Sequence, residues 1–153
     1  MNRIGEVERL LAKSSDGSNP TAEVLVELFR DVQRIAVVGL SRDLEKPARR
    51  VPSYLAAKGF DVIPVNPKAD RLLGQKSWRS LDEVPEPVDM VVVFRPSAEA
   101  AAVVEQATSR PDQPVIWLPT GIRAPEAVEA ARAAGHTVVQ DVCVFQVCRV
   151  LVG

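Results

Sequence analysis

Arg34-Ile35-Ala36-Val37-Val38-Gly39-Leu40-Ser41-Arg42 decides the fold of this chain. Four apolar residues, mostly β-branched, run straight into a glycine, a hydroxyl and a base. An unbroken run this short suits a strand buried on both faces, as in a parallel sheet covered by helices. Gly39 at its carboxyl end lets the backbone turn tightly and lets a ligand approach without a Cβ in the way. The backbone N–H groups beyond it are expected to be free to hold a phosphate. The stretch therefore predicts a nucleotide site at the end of the first strand.

Working outward, the sequence alternates between strand-like and helix-like segments. An amphipathic stretch from Pro52 to Lys58 ends at Gly59 and leads to Val62-Ile63-Pro64-Val65. A loop rich in Lys, Asp and Gly spans Pro67 to Lys76, and Val88 to Phe94 forms the purest strand signal. Ser97 is placed to cap an alanine-rich helix reaching about Thr108, with Glu99 in its first turn. Val115-Ile116-Trp117-Leu118 is a further buried strand, with Trp117 read as core. Pro125 opens a helix that Gly135 closes. Val138-Val139 begins the last strand, with His136 just ahead of it on the side away from the site, and Phe145 to Leu151 cover the sheet again. Lys58-Gly59-Phe60-Asp61-Val62 and Ala134-Gly135-His136-Thr137-Val138 repeat one pattern: helix end, glycine, two linking residues, strand. Strands spaced in this way by helices mean βαβ units. The predicted class is α/β, a doubly wound parallel five-stranded sheet with helices on both faces. Two N-terminal helices precede it, Val7 to Ala12 and Thr21 to Phe29, the second with Asn19 as cap and Pro20 at its first position. Ser14 to Ser18 link them, and residues 1–31 are expected to pack on the sheet or against another subunit.

Composition narrows the function. A chain of 153 residues is read as one domain with a substantial core. A net charge of −1 leaves no electrostatic footprint for general nucleic-acid binding. No apolar run approaches the ~20 residues that span a bilayer, and the polar, charged start is unlike a signal peptide, so the expected setting is cytoplasmic, away from membranes. Cys143 and Cys148, with a single histidine in the chain, make neither a zinc nor a disulfide framework. They are read as reduced, partly buried thiols.

In open parallel sheets ligands bind beyond the carboxyl ends of the strands, where strand order reverses. Those ends read Gly39-Leu40-Ser41-Arg42, Asn66-Pro67-Lys68, Phe94-Arg95-Pro96 and Pro119-Thr120-Gly121-Ile122. Arg42, Lys68 and Arg95 stand on them, with Lys46, Arg49 and Arg50 nearby in the first loop. Such a cation set suits a ligand carrying several phosphates. The dinucleotide fingerprint needs three glycines in the first turn and an acid after the second strand. Here only Gly39 is present, and Lys68 stands near the position of the acid. A lysine there favours a phosphate on the ribose, as in coenzyme A or NADP, over NAD. The Walker lysine motif is also missing.

At this point the chain resembles a known family. Ala36-Val37-Val38-Gly39-Leu40-Ser41, Val62-Ile63-Pro64-Val65-Asn66-Pro67-Lys68 and Val88-Asp89-Met90-Val91-Val92-Val93-Phe94-Arg95 look like the successive signatures of stand-alone CoA-binding domain proteins. These are similar to the CoA domain in the α subunit of succinyl-CoA synthetase. The resemblance runs from about Arg34 to Cys143. It implies a Rossmann-like domain holding CoA or an acyl-CoA across the strand ends. By position, Gly39, Ser41 and Arg42 would meet the nucleotide phosphates, and Leu40, Lys46 and Arg49 are counted with them as candidate ligand-binding residues. Asn66, Pro67 and Lys68 would lie by the adenosine and its ribose phosphate, flanked by Phe94 and Arg95. Thr120, Gly121 and Ile122 would line the path of the pantetheine arm. Pro119-Thr120-Gly121 departs from the glutamine-glycine that relatives tend to carry, and Val144 to Leu151 is apolar where they tend to be basic. The synthetase's phosphohistidine domain has no counterpart in the sequence.

Catalysis needs a positioned acid, base or nucleophile. The strand ends offer cations and a hydroxyl, with Cys143 the one nucleophile nearby and no base beside it. The expectation is a non-catalytic CoA carrier or sensor, as a small homo-oligomer. Two alternatives are an NADP-dependent oxidoreductase, against which the missing glycines argue, and a scaffold that kept the fold and lost its ligand.

Overall fold

The computed structural model describes residues 2–153. In chain order the elements are α1 (Arg3–Ala12), α2 (Ala22–Asp31), β1 (Arg34–Val38), α3 (Pro47–Ala57) and β2 (Asp61–Val65). A small hairpin follows, β3 (Arg71–Leu72) and β4 (Gln75–Lys76), then a 3₁₀ turn at Leu81–Glu83 and β5 (Met90–Val93). The chain continues through α4 (Ser97–Thr108), β6 (Val115–Leu118), α5 (Pro125–Ala133), β7 (Val138–Gln140) and α6 (Val144–Leu151).

The main sheet has the order β2-β1-β5-β6-β7, and every pairing in it is parallel. Successive strand side chains leave on opposite faces, and both faces here are apolar. Ile35, Val37, Met90, Val92, Trp117 and Val139 face α2, α3 and α6, against Leu25, Phe29, Leu55 and Val147. Ala36, Val38, Val91, Val93, Ile116 and Leu118 face α4 and α5, against Val104, Ala107 and Val128. This is the doubly wound five-stranded arrangement expected from the alternation. Chain order reverses between β1 and β5: β2 lies to one side of β1, while β5, β6 and β7 run out to the other. Trp117 is fully buried, as expected, and its indole N–H donates to the Val142 carbonyl at 2.8 Å.

Several boundaries differ from the sequence reading, each for a local reason. Helix α3 starts at Pro47 instead of Pro52 and runs through Pro52. Pro52 cannot donate to the carbonyl four residues back. That carbonyl, Ala48, accepts the Ser41 N–H at 3.1 Å from the loop after β1, so the proline frees an acceptor for the loop. The cap of α2 is Thr21, not Asn19. Ser97 is the first residue of α4 and not its cap, and its hydroxyl bonds to the Gly121 turn instead. Within the stretch read as a loop from Pro67 to Lys76, β3 and β4 form a two-residue hairpin with Leu73 and Gly74 both at positive φ. Gly59 and Gly135 close α3 and α5 as the repeat suggests, with Phe60 and His136 amides returning to the Leu55 and Ala131 carbonyls.

Asn19 has another task. Its side chain accepts the Gln140 N–H and donates to the Gln140 carbonyl, at 2.8 and 3.0 Å, so it caps the open edge of β7 as a neighbouring strand would. The buried Gln140 side chain donates to Asp16 and accepts from the Ala124 amide, and Asp16 pairs with Arg132 at 3.0 Å. Burial alone would raise the Asp16 carboxyl. Bonds from the Ser18 amide, Gln140 and Arg132 outweigh burial and hold it below its usual value. Because the folded-state value lies below the unfolded one, this carboxylate stabilises the fold above about pH 4, and that contribution is lost as pH falls through the folded-state value. Asp16→Asn is expected to lower stability by about 1–3 kcal/mol at pH 7. Its deficit against wild type narrows below about pH 4. Denaturant unfolding across that range checks it, and a deficit that stays constant down to pH 2 contradicts it.

Candidate ligand site at the strand carboxyl ends

Gly39 sits at the point of reversal. Its amide donates to the Val65 carbonyl of β2 at 2.8 Å, and the Phe94 amide beyond β5 donates to Val38 at 2.8 Å. Gly39 has φ +92°, and a Cβ there would lie 2.2 Å from the Phe94 carbonyl oxygen and 3.1 Å from Arg95 Cδ. The glycine is therefore required by the protein's own backbone, before any ligand is considered.

The loop after it differs from the expected row of free amides. Ser41 N–H is bound to Ala48, Asp43 N–H to the Ser41 hydroxyl, and Glu45 N–H to the Asp43 carboxylate. Among the described residues the amides of Leu40, Arg42, Leu44 and Ala48 remain without a hydrogen bond. Leu40 is fully buried, its backbone included, whereas Arg42 and Leu44 are exposed. Asn66 is spent on the loops themselves: its side chain donates to the Leu40 carbonyl at 2.9 Å and accepts from the Lys68 amide at 2.7 Å. It fixes the end of β2 against the end of β1.

Arg42, Lys68 and Arg95 thus follow three adjacent strands, β1, β2 and β5, on one edge of the sheet. Arg42, Lys46, Pro67 and Lys68 are exposed, and no ion pair among the described residues engages those three cations. Arg95 is paired with Glu99, one turn into α4. Arg49 is half-buried on α3, and its Nε is enclosed without a partner. Asp43 and Glu45 lie between these cations in sequence, so the rim is mixed in charge and the positive groups dominate only locally.

Beside this rim opens a hollow of about 440 Å³, walled by Lys46, Pro47, Ala48 and Val51 on one side and Phe94, Pro119, Thr120 and Ile122 on the other. Cys143 and Val144 at the start of α6 close it. The residues singled out in the sequence therefore divide between two places. Lys46, Phe94, Thr120 and Ile122 line the hollow; Gly39, Ser41, Arg42, Asn66, Pro67, Lys68 and Arg95 build or border the rim. Gly121 lies between, its amide held by Asp141 at 2.6 Å. Asp141 also accepts from the Ser15 amide and hydroxyl. Burial would raise this carboxyl, but those bonds hold it below its usual value. Asp141 thus ties the linker before α2 to the turn after β6. Pro47, Ala48, Val51 and Val144 are not marked by the sequence reading, because apolar residues on a helix carry no chemical signal in sequence. His136 is buried ahead of β7, at the opposite end of the sheet. Cys148 is buried beneath α6, and burial pushes its thiol up to about 11.

A family model for the CoA binding domain matches residues 33–148. The chain belongs to the CoA-binding domain family. YneT of Bacillus subtilis (strain 168) is 36 % identical over 126 residues, covering 82 % of this chain and 93 % of that protein. ADP-forming acetate–CoA ligase II of Archaeoglobus fulgidus is 32 % identical over 78 residues, half of this chain but 12 % of the ligase. A solved structure from Thermus thermophilus superposes with a TM-score of 0.79 at 35 % identity, over 84 % of this chain and 97 % of that one. The α/β fold with a Rossmann-like parallel sheet is shared with these CoA-binding domains. Among the described residues no helix is long and apolar enough to cross a membrane.

Gly39→Ala is expected to cost about 2–5 kcal/mol, from the positive φ together with the clash at Phe94. Gly17→Ala is the control: a Cβ there meets nothing within 4 Å, so its effect stays within about 0.5 kcal/mol. Chemical denaturation of both variants decides it, and similar stability for the two would remove the constraint assigned to Gly39.

Proposed function

We propose that this protein binds coenzyme A or an acyl-CoA at the carboxyl ends of its sheet and works as a non-catalytic carrier or sensor. The observation that carries this reading is the convergence of Arg42, Lys68 and Arg95 on three adjacent strand ends beside a largely apolar hollow. CoA has that same division, with a multiply phosphorylated nucleotide at one end and an uncharged arm at the other. Membership of the CoA-binding domain family supports the choice of ligand.

In this reading the free amide of Arg42, with the Arg42 guanidinium, holds the diphosphate at the reversal point. Lys68 meets the ribose phosphate, and Lys46 lies where the diphosphate gives way to the arm. Phe94, Thr120 and Ile122 line the arm's path. Arg95 exchanges its pairing with Glu99 for ligand phosphate, and half-buried Arg49 adds positive potential from α3. Cys143 is the one nucleophile lining the hollow, and no His or carboxylate shares that lining. No His or carboxylate stands there to activate that thiol, so we assign the site to binding.

Isothermal titration with CoA and with 3′-dephospho-CoA tests the assignment. CoA is expected to bind roughly ten- to a hundredfold more tightly, the value of a charge-assisted contact to one phosphate. Lys68→Ala is expected to remove that difference. Equal affinity for the two ligands in the wild type would overturn the role of Lys68. Absence of binding, with no rise in melting temperature at millimolar CoA, would overturn the function itself.

A further inference from the structure

A second hollow, of about 410 Å³, opens next to the first and shares Pro47 and Val51 with it. These two residues are four apart on α3, one above the other on the same helix face, so the hollows adjoin across a single turn. The far wall of the second hollow is Tyr54 from α3 and Phe145 from α6, whose rings meet edge to face with centroids 4.7 Å apart. The Tyr54 hydroxyl is enclosed and turned toward the Cys148 thiol, so Tyr54 offers ring carbon to the hollow. Arg50 is the one charged residue in the lining and is exposed. Each hollow alone is within the ~300–1,000 Å³ range of small-molecule sites.

This inference rests on the CoA reading above. We propose that the second hollow takes the hydrocarbon of an acyl-CoA thioester, making medium-chain acyl-CoA the preferred ligand over free CoA. The phosphates lie on the rim, the pantetheine arm fills the first hollow, and the acyl chain crosses Val51 to end against Tyr54 and Phe145. A chain of methylenes is the fitting occupant because most of the lining is aromatic and aliphatic carbon, with Arg50 the one charged residue. The hollow also adjoins, across Pro47 and Val51, the groove where the thioester would lie, which a docking protein surface would not require. The apolar character of residues 144–151 then has a use: Phe145 supplies one wall and Val147 and Cys148 anchor its helix in the core.

Titration of the full chain with CoA, acetyl-CoA and octanoyl-CoA tests this. A fully buried methylene strengthens binding about fourfold. Across a partly open groove, octanoyl-CoA is expected to bind at least tenfold more tightly than acetyl-CoA. Phe145→Ala and Phe145→Glu are expected to erase that gain while leaving affinity for CoA unchanged within about twofold. Alanine serves as the milder change should glutamate disturb α6. Equal binding of all three ligands would overturn the acyl assignment and leave the CoA reading intact. Binding of none would mean that the CoA reading has failed, and this inference with it. If octanoyl-CoA has no advantage and sedimentation shows a dimer that Phe145→Glu dissociates, the hollow is an interface between copies and the proposal is overturned.

Discussion

The contact between Gly39 and the Phe94 carbonyl governs much of what surrounds it. β1 and β5 run side by side although about fifty residues separate them, and their ends meet where the chain's connections part to opposite sides of the sheet. A side chain at position 39 would push these ends apart. With glycine there, the loop after β1 can fold back onto α3, Asn66 can reach the Leu40 carbonyl, and Arg95 comes to lie against the Gly39 turn. The crevice therefore follows from backbone packing, and the ligand-facing groups are arranged around a turn that the protein already needs.

A second set of contacts holds the other side of the site. Edge strand β7 would expose its N–H and C=O groups to solvent or to another chain. Asn19 covers Gln140, Asp16 bridges Gln140 and Arg132, and Asp141 links Ser15 to Gly121. The segment before α2 is thereby joined to the turn that borders the hollow. Loss of these polar bonds would be felt both in stability and in the placement of Thr120 and Ile122, since the partners around buried Gln140 would be left unsatisfied.

The sheet was legible because its strands are buried on both faces, and continuous apolar runs such as Val91-Val92-Val93 have few other uses. The helix ends at Gly59 and Gly135 were legible for a similar reason, since a left-handed turn favours glycine. What escaped was long-range pairing. Asn19 reads as a helix cap until Gln140 is seen beside it, and Ser97 reads likewise until the Gly121 turn comes within reach. Pro52 looks like a helix start because its consequence, a freed Ala48 carbonyl, is used eleven residues earlier at Ser41. In the candidate site, charged residues announced themselves by type, whereas the apolar wall from Pro47, Val51 and Val144 emerges only when α3 and α6 are brought together.

The account depends most on where a phosphorylated ligand settles. Amide chemical-shift mapping during a titration with CoA addresses this directly. The largest changes should fall at Leu40 to Arg42, Lys68, Phe94 to Arg95 and Thr120 to Ile122, on adjoining ends of β1, β2, β5 and β6. Changes confined elsewhere, for example to the hollow between α1 and α2 around Leu11 and Thr21, would contradict it.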